Sequence, residues 1–228
     1  MYLSIIIPVL NEAERLPSLL EHLAPLRVRD AEVIVADGGS EDGSGQLAAQ
    51  AGVQVIYSRR GRALQMNAGA AAARGDMLLF LHADTLLPGM AMQAIEEGIR
   101  RSHIPVEQAW GRFDVRIEGR SFMLRVVARL MNWRSRLTGI ATGDQAMFVA
   151  RSAFEAAGGF PEQPLMEDIE LSKRLRAQAN PVCLTEQVTT SGRRWETRGV
   201  WKTILLMWRL RWAYWRGVPA SKLAELYR

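Results

Sequence analysis

The sequence contains one cysteine among 228 residues and no long apolar run. Cys183 cannot form an internal disulfide and has no Cys or His neighbours at the spacing of a zinc site, so we expect a reducing compartment. No stretch reaches the roughly 18 uninterrupted apolar residues of a membrane-spanning helix. The first residues lack a basic leader, which argues against a secretory signal. These absences argue against disulfide-stabilised, zinc-binding and polytopic membrane proteins.

Charge and composition are those of an ordinary globular protein with a basic bias. Hydrophobic residues make up 48% and charged residues 23% of the chain, which argues against disordered and fibrous classes. A length of 228 residues suits one α/β domain with a sizeable core. The net charge of +5 is concentrated in the last third and favours anionic partners.

The first half alternates short apolar runs with helical patterns, as a βαβ series does. Because the predicted strands are continuously apolar, both faces of the sheet should be covered, which favours a doubly wound core. Ligands of such sheets collect beyond the carboxyl ends of the strands. The predicted strands are 3–9, 32–36, 53–57 and 77–81, and the predicted helices are 14–23, 44–51 and 63–73.

The second half changes character. Residues 110–117 alternate as a strand with one exposed face does, 146–150 form a short buried strand, 164–176 a helix, and 181–185 a final strand. We divide the chain into one domain, 1–195, and a basic, Trp-rich helical tail, 196–228. Within the domain, 1–105 would handle the nucleotide and 106–195 the acceptor.

Two acidic residues follow predicted strands at one rim of the sheet. The loop that Asp37 opens carries three carboxylates, which suit a base or ribose better than a diphosphate. Asp84, within His82-Ala83-Asp84, is a candidate ligand for Mg²⁺ or Mn²⁺, with substrate phosphates completing the shell. The alternatives are a turn-building role for Asp37, a helix N-cap for Asp84, and a buried, non-ligating His82.

Three further segments offer charged groups. The basic loop Arg59–Arg62 precedes a helix containing Asn67 and suits phosphate or ribose, although solvated arginines are the alternative. Glu167 and Asp168 occupy the first turn of a helix, and the Gly143-Asp144-Gln145 segment adds a carboxylate and an amide. A hydroxyl acceptor needs a base within about 3 Å, and either Glu167 or Asp168 can serve. Dipole capping is the alternative for both.

In chain order, these segments resemble glycosyltransferase family 2 over nearly all of residues 1–195. The small size, the Gly-Asp-Gln segment and the Trp/Arg-rich tail are similar to the subgroup named for arsenosugar biosynthesis. The six matching segments are Pro8-Val9-Leu10-Asn11-Glu12, Ala36-Asp37-Gly38-Gly39-Ser40, Arg60-Gly61 with Asn67, His82-Ala83-Asp84, Gly143-Asp144-Gln145 and Glu167-Asp168.

The resemblance implies a GT-A fold, which is a Rossmann-like, doubly wound mixed α/β sheet flanked by helices in one domain, and transfer of a hexosyl group with inversion. Asn11, Glu12 and Asp37 would contact the nucleoside, Asp84 the metal, and Asp168 would deprotonate the acceptor. The donor site would also include Pro8, Gly38, Arg60, Gly61, Arg62, Asn67, His82 and Ala83. The acceptor or diphosphate site would comprise Gly143, Asp144, Gln145, Arg193 and Arg194. His82 stands where the family usually has a first acid, so one carboxylate rather than two would hold the metal.

The tail leaves the partners open. Apolar residues recur at three- and four-residue steps at 201, 204, 205, 208, 212 and 215, as in a helix that lies in the lipid interface. A second candidate helix, 122–136, also mixes apolar and basic residues. The alternative is packing on the domain or in a homodimer. We expect a nucleoside diphosphate sugar donor, a hydroxyl acceptor that is free or linked to a lipid, and no nucleic acid. We also expect a cytoplasmic protein, which lies at the inner membrane face if the tail binds lipid.

Three other functions compete with this hypothesis. A dehydrogenase should carry a Gly-x-Gly-x-x-Gly turn after the first strand, where this chain has Pro8-Val9-Leu10-Asn11-Glu12. A sugar nucleotidyltransferase would need a glycine-rich basic loop at the same place. A non-catalytic membrane-surface adaptor on a glycosyltransferase scaffold is compatible with the tail.

Overall fold

The apolar runs of the first half form the parallel part of one eight-stranded mixed sheet in the computed structural model, which describes residues 1–28 and 31–227. The strands β3, β2, β1 and β4 lie side by side in that order and run parallel. Their bounds are β1 Leu3–Val9, β2 Ala31–Asp37, β3 Gln54–Tyr57 and β4 Met77–Phe80, and the helices between them are α1 Leu16–Arg27, α2 Ser44–Gln50 and α3 Arg62–Ala72.

The second half completes the sheet with antiparallel neighbours. Strand β7 lies antiparallel between β4 and β6, β8 pairs parallel with β6, and β5 closes the edge against β8. The strands are β5 Thr85–Leu86, β6 Trp110–Glu118, β7 Met147–Ala150 and β8 Val182–Ser191. The helices are α4 Ala91–Ser102, α5 Phe122–Thr138, α6 Arg151–Ala156, α7 Glu167–Arg176, α8 Arg193–Arg198, α9 Val200–Trp215 and α10 Ala220–Tyr227, with 3₁₀ turns at Val106–Gln108 and Gly143–Gln145.

This architecture confirms the predicted α/β sheet flanked by helices. Strand β1 is buried at nearly every position because helices cover both faces of the sheet. Helix α1 turns Leu16, Leu19, Leu20 and Leu23 inward, at the three- and four-residue steps of one helical face. In the register, Val9 lies opposite Asp37, and Ile6 lies opposite Phe80. The residues after β1, β2 and β4 therefore share one edge of the sheet.

Three predictions for individual elements need correction. Residues 110–113 are all buried, since β6 lies inside the sheet, so the alternation begins only at Asp114. The helix predicted at 164–176 begins at Glu167, because Met166 adopts a left-handed backbone with φ of 64°. The last strand extends to Ser191 rather than residue 185. Helix α4 was not predicted, although its buried Ala91, Ile95 and Ile99 follow helical spacing.

A buried arginine attaches α5 to the sheet. Arg112 on β6 has no exposed surface, and its Nε donates to Ser135 Oγ at 3.0 Å while Nη2 donates to the Asn132 carbonyl at 3.2 Å. Its Nη1 pairs with Asp114. A buried charge is tolerated only when it is paired and hydrogen-bonded. The position of α5 is therefore set by this network.

The tail packs on the domain through one face of α9. Leu210 is buried in a small cluster with Met166, Ile169 and Leu223. The other face carries Trp201, Leu205, Trp208, Trp212 and Trp215, which are 61–78% exposed. Within residues 1–28 and 31–227, every helix is too short or too polar to cross a membrane. The tail thus has both a packed face and an exposed aromatic face.

Candidate active site

Two loops at the carboxyl edge of the parallel strands are held together by hydrogen bonds. The Asn11 amide donates to Ser40 Oγ at 3.0 Å, and Asn11 Oδ1 accepts from the Glu41 amide at 2.9 Å. The Glu12 amide donates to Ser44 Oγ at 2.9 Å. Asn11 has φ of 56°, a left-handed conformation that asparagine tolerates better than most residues. The loops after β1 and β2 therefore form one rigid rim.

Asp37 organises this rim from the end of β2. Its side chain is 2% exposed, and Oδ1 accepts from the amides of Gly39 and Ser40 and from Ser40 Oγ at 2.7–3.0 Å. The amide of Gly38 donates to the Val9 carbonyl at 3.0 Å. Asp37 thus has the turn-building role that was the alternative for it in the sequence, while its contact with a nucleoside stays a prediction.

The basic loop before α3 lies against the start of α7. Arg62 Nη1 is 3.4 Å from Glu167 Oε1, and the more exposed Arg59 pairs with Glu162 at 3.7 Å. Gly61 caps α3 with φ of 147°, and Arg60 is exposed. Asn67 forms two hydrogen bonds with the backbone of Phe160, at 2.8 and 2.9 Å. In this structure Asn67 joins α3 to the turn before α7.

Gly143 lies where three segments of the site meet. Its amide donates to Asp168 Oδ2 at 2.9 Å. A Cβ at this position would lie 2.5 Å from Cε1 and Nε2 of the His82 ring, a separation that real side chains do not adopt. His82 Nδ1 in turn is 3.4 Å from Asp144 Oδ1. The absence of a side chain at Gly143 lets the ends of β4 and α7 approach the same turn.

These groups line one small pocket. It places the His82 ring and the Asp168 carboxylate in the same cavity as Arg62 and Glu167, four of the sequence-predicted residues. The other lining residues are Met66, Phe80, Gly143, Met147 and Phe160. Asp168 Oδ1 also accepts from the Ile169 amide at 2.8 Å, so its carboxylate is oriented at the first turn of α7. The pocket combines an oriented carboxylate, a buried carboxyl group and a guanidinium.

The carboxyl groups of the pocket differ in their electrostatic environments. Burial raises the pKa of Glu167, the negative charge of Asp168 raises it further, and Arg62 offsets only part of this effect. Burial also tends to raise the pKa of Asp144, but His82, Arg62 and Arg211 outweigh it and lower that pKa. Neighbouring carboxyl groups with opposite shifts are typical of sites that transfer protons.

Several cations converge on this pocket from the second half and the tail. Burial lowers the pKa of Arg134 on α5 to about 10, with Arg211 adding to the effect and Asp168 opposing it. Burial likewise lowers the pKa of Arg211 on α9, against the charges of Asp168 and Asp144. Tyr227 near the end of α10 interacts electrostatically with Arg62. We did not single out Arg134, Arg211 or Tyr227 in the sequence, because no local motif marks them.

Other predicted site residues lie at the edges of this arrangement. Gln145 is fully buried, and its amide group binds Thr142 and Asn132.

The remaining predicted residues lie farther along the chain or at the strand ends. The guanidinium carbon of Arg194 lies 3.7 Å from the centre of the Tyr227 ring, whereas Arg193 is exposed. Pro8 ends a buried run of β1, and Ala83 is buried beside His82. Asp84 lies partly buried after β4, and its carbonyl accepts from the Ser191 amide at 3.2 Å. A strand follows Asp84, so it is not an N-cap.

The donor set limits the kind of metal site. No group of three or more His, Cys, Asp or Glu side chains that could hold a metal exists within the described residues. An all-protein cage therefore does not fit. One carboxylate, such as that of Asp84, fits a hard cation that keeps water and takes substrate phosphates as its other ligands. The Nδ1 atom of His82 faces Asp144, and the Cε1 and Nε2 atoms of its ring lie beside Gly143.

Comparison with known proteins identifies the family of the chain. The sequence model of the family described as "Glycosyl transferase family 2" matches residues 4–154. An undecaprenyl-phosphate 4-deoxy-4-formamido-L-arabinose transferase from Pseudomonas fluorescens strain SBW25 is 37% identical over 149 residues, which are 60% of this chain and 40% of that protein. The chain thus spans less than half the length of this relative.

Solved structures share the fold. A mannosyltransferase from Pyrobaculum calidifontis in complex with GDP-Man and Mn²⁺ superposes with a TM-score of 0.63 at 20% identity, over 92% of this chain and 60% of that one. Glucosyl-3-phosphoglycerate synthase from Mycobacterium tuberculosis, in complex with Mn²⁺, UDP and glucosyl-3-phosphoglycerate, superposes with a TM-score of 0.56 at 18% identity, over 83% and 70%. These likenesses confirm the predicted GT-A fold.

The contact between Gly143 and His82 generates a prediction. Gly143→Ala would place a methyl group within 2.5 Å of the His82 ring, so we expect the ring to shift and its 3.4 Å contact with Asp144 to be disturbed. Because His82 lowers the pKa of Asp144 against the effect of burial, we expect that pKa to rise in the variant. Carboxyl ¹³C NMR titration measures the change, and Asp144→Asn assigns the signal.

Gly89→Ala is the matched control. A Cβ at Gly89 would meet no atom within 4 Å, so the titration of Asp144 should stay as in the parent protein. An identical Asp144 titration in Gly143→Ala and the parent would contradict the proposed packing of His82 against Gly143.

Proposed function

The chain belongs to glycosyltransferase family 2, and from this premise we propose that it transfers a sugar from a nucleoside diphosphate sugar to a hydroxyl acceptor with inversion at the anomeric carbon. The observation that carries the proposal is the oriented Asp168 carboxylate, which shares one pocket with His82, Glu167 and Arg62. Inversion needs a base on the acceptor side, opposite the departing diphosphate. A single carboxylate held at the edge of the sheet suits that task.

The rigid rim after β1 and β2 is assigned to the nucleoside of the donor. Asn11 and Glu12 lie on one of its loops, and Asp37 on the other. Ligands of parallel sheets bind beyond the carboxyl ends of the strands, where this rim lies. Arg60 and Arg62 are assigned to the ribose and phosphate side, and residues 1–105 to the donor half. Residues 106–195, with Asp144 and Asp168, are assigned to the acceptor half.

Asp84 is assigned to the metal, Mg²⁺ or Mn²⁺. The Mn²⁺ present in the two solved relatives supports a metal-dependent reaction. When bound, the cation supplies positive charge that stabilises the leaving diphosphate. Asp84 is the only residue of the His82-Ala83-Asp84 segment that has a carboxylate, so most of the coordination shell would come from the donor and water.

The remaining steps belong to the chain's own residues. The acceptor hydroxyl gives its proton to Asp168, and the resulting oxygen attacks the anomeric carbon as the bond to phosphate breaks. The buried Glu167, whose pKa burial raises, pairs with Arg62 and limits the negative charge beside Asp168. Arg62, at the start of α3, is assigned to the leaving-group side. Walls of Phe80, Met147 and Phe160 restrict water at the reacting centre.

Replacing the proposed base tests this mechanism. Asp168→Asn retains an oxygen that can accept from the Gly143 amide but cannot take up the acceptor's proton. We expect kcat to fall about 10²–10⁴-fold, while the dissociation constant for UDP or GDP with Mn²⁺ stays unchanged. Sugar transfer and isothermal titration measure the two quantities.

The control lies on the same helix. Glu170 pairs with Lys173 and Arg174 and accepts from the Tyr214 hydroxyl, and it does not line the pocket, so Glu170→Gln should retain transfer. Glu167→Gln separates the two neighbouring acids. Full turnover by Asp168→Asn, with loss in Glu167→Gln instead, would assign the base to Glu167 and contradict our choice.

A second variant tests the metal. Asp84→Ala removes the proposed carboxylate ligand, so Mn²⁺ should no longer tighten the binding of UDP or GDP. Titration of each nucleotide with and without Mn²⁺ measures this effect. Asp76→Ala, an exposed acid just before the other end of β4, is the control. An unaltered Mn²⁺ effect in Asp84→Ala would remove this residue from the metal site.

The acceptor is assigned to a lipid carrier at a membrane surface. The name of the Pseudomonas relative includes undecaprenyl phosphate, which supports a lipid-linked acceptor. The exposed tryptophans of α9 form an apolar face, and α9 contains basic but no acidic residues. A helix with aromatic and basic residues suits an anionic lipid interface. The narrower resemblance to the subgroup named for arsenosugar biosynthesis stays a prediction.

Vesicle flotation tests the membrane surface. The protein should float with vesicles of phosphatidylcholine and phosphatidylglycerol, and the double variant Trp208→Ala/Trp212→Ala should float markedly less, since both side chains are over 60% exposed. Tyr57→Ala, which removes an exposed aromatic side chain from edge strand β3, is the control. Equal flotation of the tryptophan variant, or a stable dimer that does not float, would contradict the assignment.

A further inference from the structure

Arg134 on α5 has an unfilled hydrogen-bonding edge. Its Nε and Nη2 atoms are shielded from solvent and have no hydrogen-bond partner among the described residues. Buried guanidinium groups are costly unless they are paired, so native proteins almost always satisfy them. These two nitrogens form the side of the guanidinium that binds two oxygens of one anion. Two adjacent nitrogens without a partner therefore indicate a binding site for an oxyanion.

The surroundings place this edge at the candidate active site. Arg112 fixes α5 through Ser135, the residue next to Arg134, and through the Asn132 carbonyl. Asp168 is the acidic residue that interacts electrostatically with Arg134, and it accepts its hydrogen bond from Gly143 rather than from Arg134. Arg134 is therefore held near the proposed base without being neutralised by a direct ion pair.

Arg211 adds a second cation from α9. The adjacent Leu210 packs on Met166 and Ile169, at the start of α7, which brings Arg211 toward the same carboxylates. The charges of Asp168 and Asp144 act on Arg211, but Asp144 contacts His82 and Asp168 contacts Gly143. Arg211 forms no ion pair with an acid in the described part of the chain. Two arginines from two different helices thus interact electrostatically with the same carboxylate, Asp168, and Arg211 also acts on Arg134.

This pair of arginines lies on the acceptor side. The proposed donor side comprises the rim after β1 and β2 and the loop after β4, and its cations, Arg60 and Arg62, come from the loop before α3 and from its first residue. Arg134 and Arg211 come instead from α5 and α9, outside residues 1–105. On both helices the neighbouring residue is an exposed tryptophan, Trp133 or Trp212.

We propose that Arg134 and Arg211 bind a phosphoryl group of the acceptor beside Asp168. The inference rests on the proposed function and specifies its substrate class, a hydroxyl acceptor that also carries a phosphate. Two guanidinium groups match the charge and the oxygens of a phosphate better than those of a carboxylate. A lipid headgroup and a small phosphorylated acceptor present the same phosphate oxygens.

Titration with inorganic phosphate tests the subsite in solution. Phosphate should bind the parent protein, and acetate should not. Arg134→Gln and Arg211→Gln should each weaken phosphate binding by about tenfold or more, as expected for loss of a charge-assisted hydrogen bond. Arg129→Gln and Arg209→Gln, exposed arginines on the same two helices, should bind phosphate as the parent does. Equal binding of acetate, or unchanged phosphate binding in both subsite variants, would overturn the proposal.

Thermal unfolding shows whether a variant loses phosphate binding because its fold is destabilised. Because Arg134→Gln removes an unpaired buried charge, the ligand-free variant should have a Tm equal to or above that of the parent. Arg134→Lys keeps the charge but not the two-oxygen edge, so its phosphate affinity should also fall. A lowered Tm in Arg134→Gln, together with parent-like phosphate binding in Arg134→Lys, would show that Arg134 is structural and would overturn the proposal.

Two further arms identify the source of the phosphate and separate this inference from the proposed function. Vesicles of phosphatidylcholine with phosphatidic acid should bind the parent better than vesicles that carry the same charge as phosphatidylglycerol if the phosphate is that of a lipid, and the Arg134→Gln variant should lose this preference. Binding of free phosphate without any vesicle preference would assign a small phosphorylated acceptor.

The final arm measures UDP and GDP with Mn²⁺, whose binding should be unchanged in Arg134→Gln and Arg211→Gln. Weaker nucleotide binding with intact phosphate binding would place the arginines in the donor site and overturn the inference. Failure of the parent to bind any nucleotide would contradict the proposed function instead.

Discussion

The close approach of His82, Asp144 and Asp168 to one glycine is the constraint on which the candidate site depends. The Gly143 amide donates a hydrogen bond to Asp168, and the absence of a side chain leaves space for Cε1 and Nε2 of the His82 ring. The other ring nitrogen, Nδ1, faces Asp144. These residues come from the end of β4, a 3₁₀ turn before β7, and the start of α7. Any side chain at Gly143 would separate them, because interiors packed this closely cannot absorb an extra methyl group without movement.

The same convergence explains how acids can cluster there. Glu167 and Asp168 lie in the first turn of α7, where the helix dipole and free amides favour negative charge. Arg62 neutralises part of the charge on Glu167, and His82 does so for Asp144. Asp168 accepts hydrogen bonds from two backbone amides instead of pairing with a cation. Among the three carboxyl groups, Asp168 is therefore the one that backbone amides orient.

The second half and the tail supply what the parallel strands lack. Arg112 anchors α5, and Leu210 anchors α9, so their outer faces can carry exposed tryptophans without losing contact with the domain. The inner sides of these helices bring Arg134 and Arg211 toward Asp168. A buried guanidinium without a partner destabilises the folded chain, and a site for an anionic substrate is a physical reason to retain one.

Local pattern was sufficient for the fold class. Continuous apolar runs separated by helical spacing predicted the four parallel strands to within one or two residues, and the ordered short motifs predicted family 2, which the match over residues 4–154 confirms. Packing between segments that are distant in sequence decided the other features of the fold. Residues 110–113 are buried because neighbours on both sides and both faces enclose β6, which alternation alone does not reveal.

The sequence by itself determined which residues have carboxylate or guanidinium chemistry and which strands end at the same edge. Only the tertiary structure decided which of them meet. Asp37 and Gln145 turned inward to hold loops, whereas Arg134 and Arg211, which no motif marks, approach Asp168 from helices distant in sequence. The reason is physical: a motif records spacing along one segment, while the pairing of charges depends on how separate segments pack, and packing is decided by the whole core.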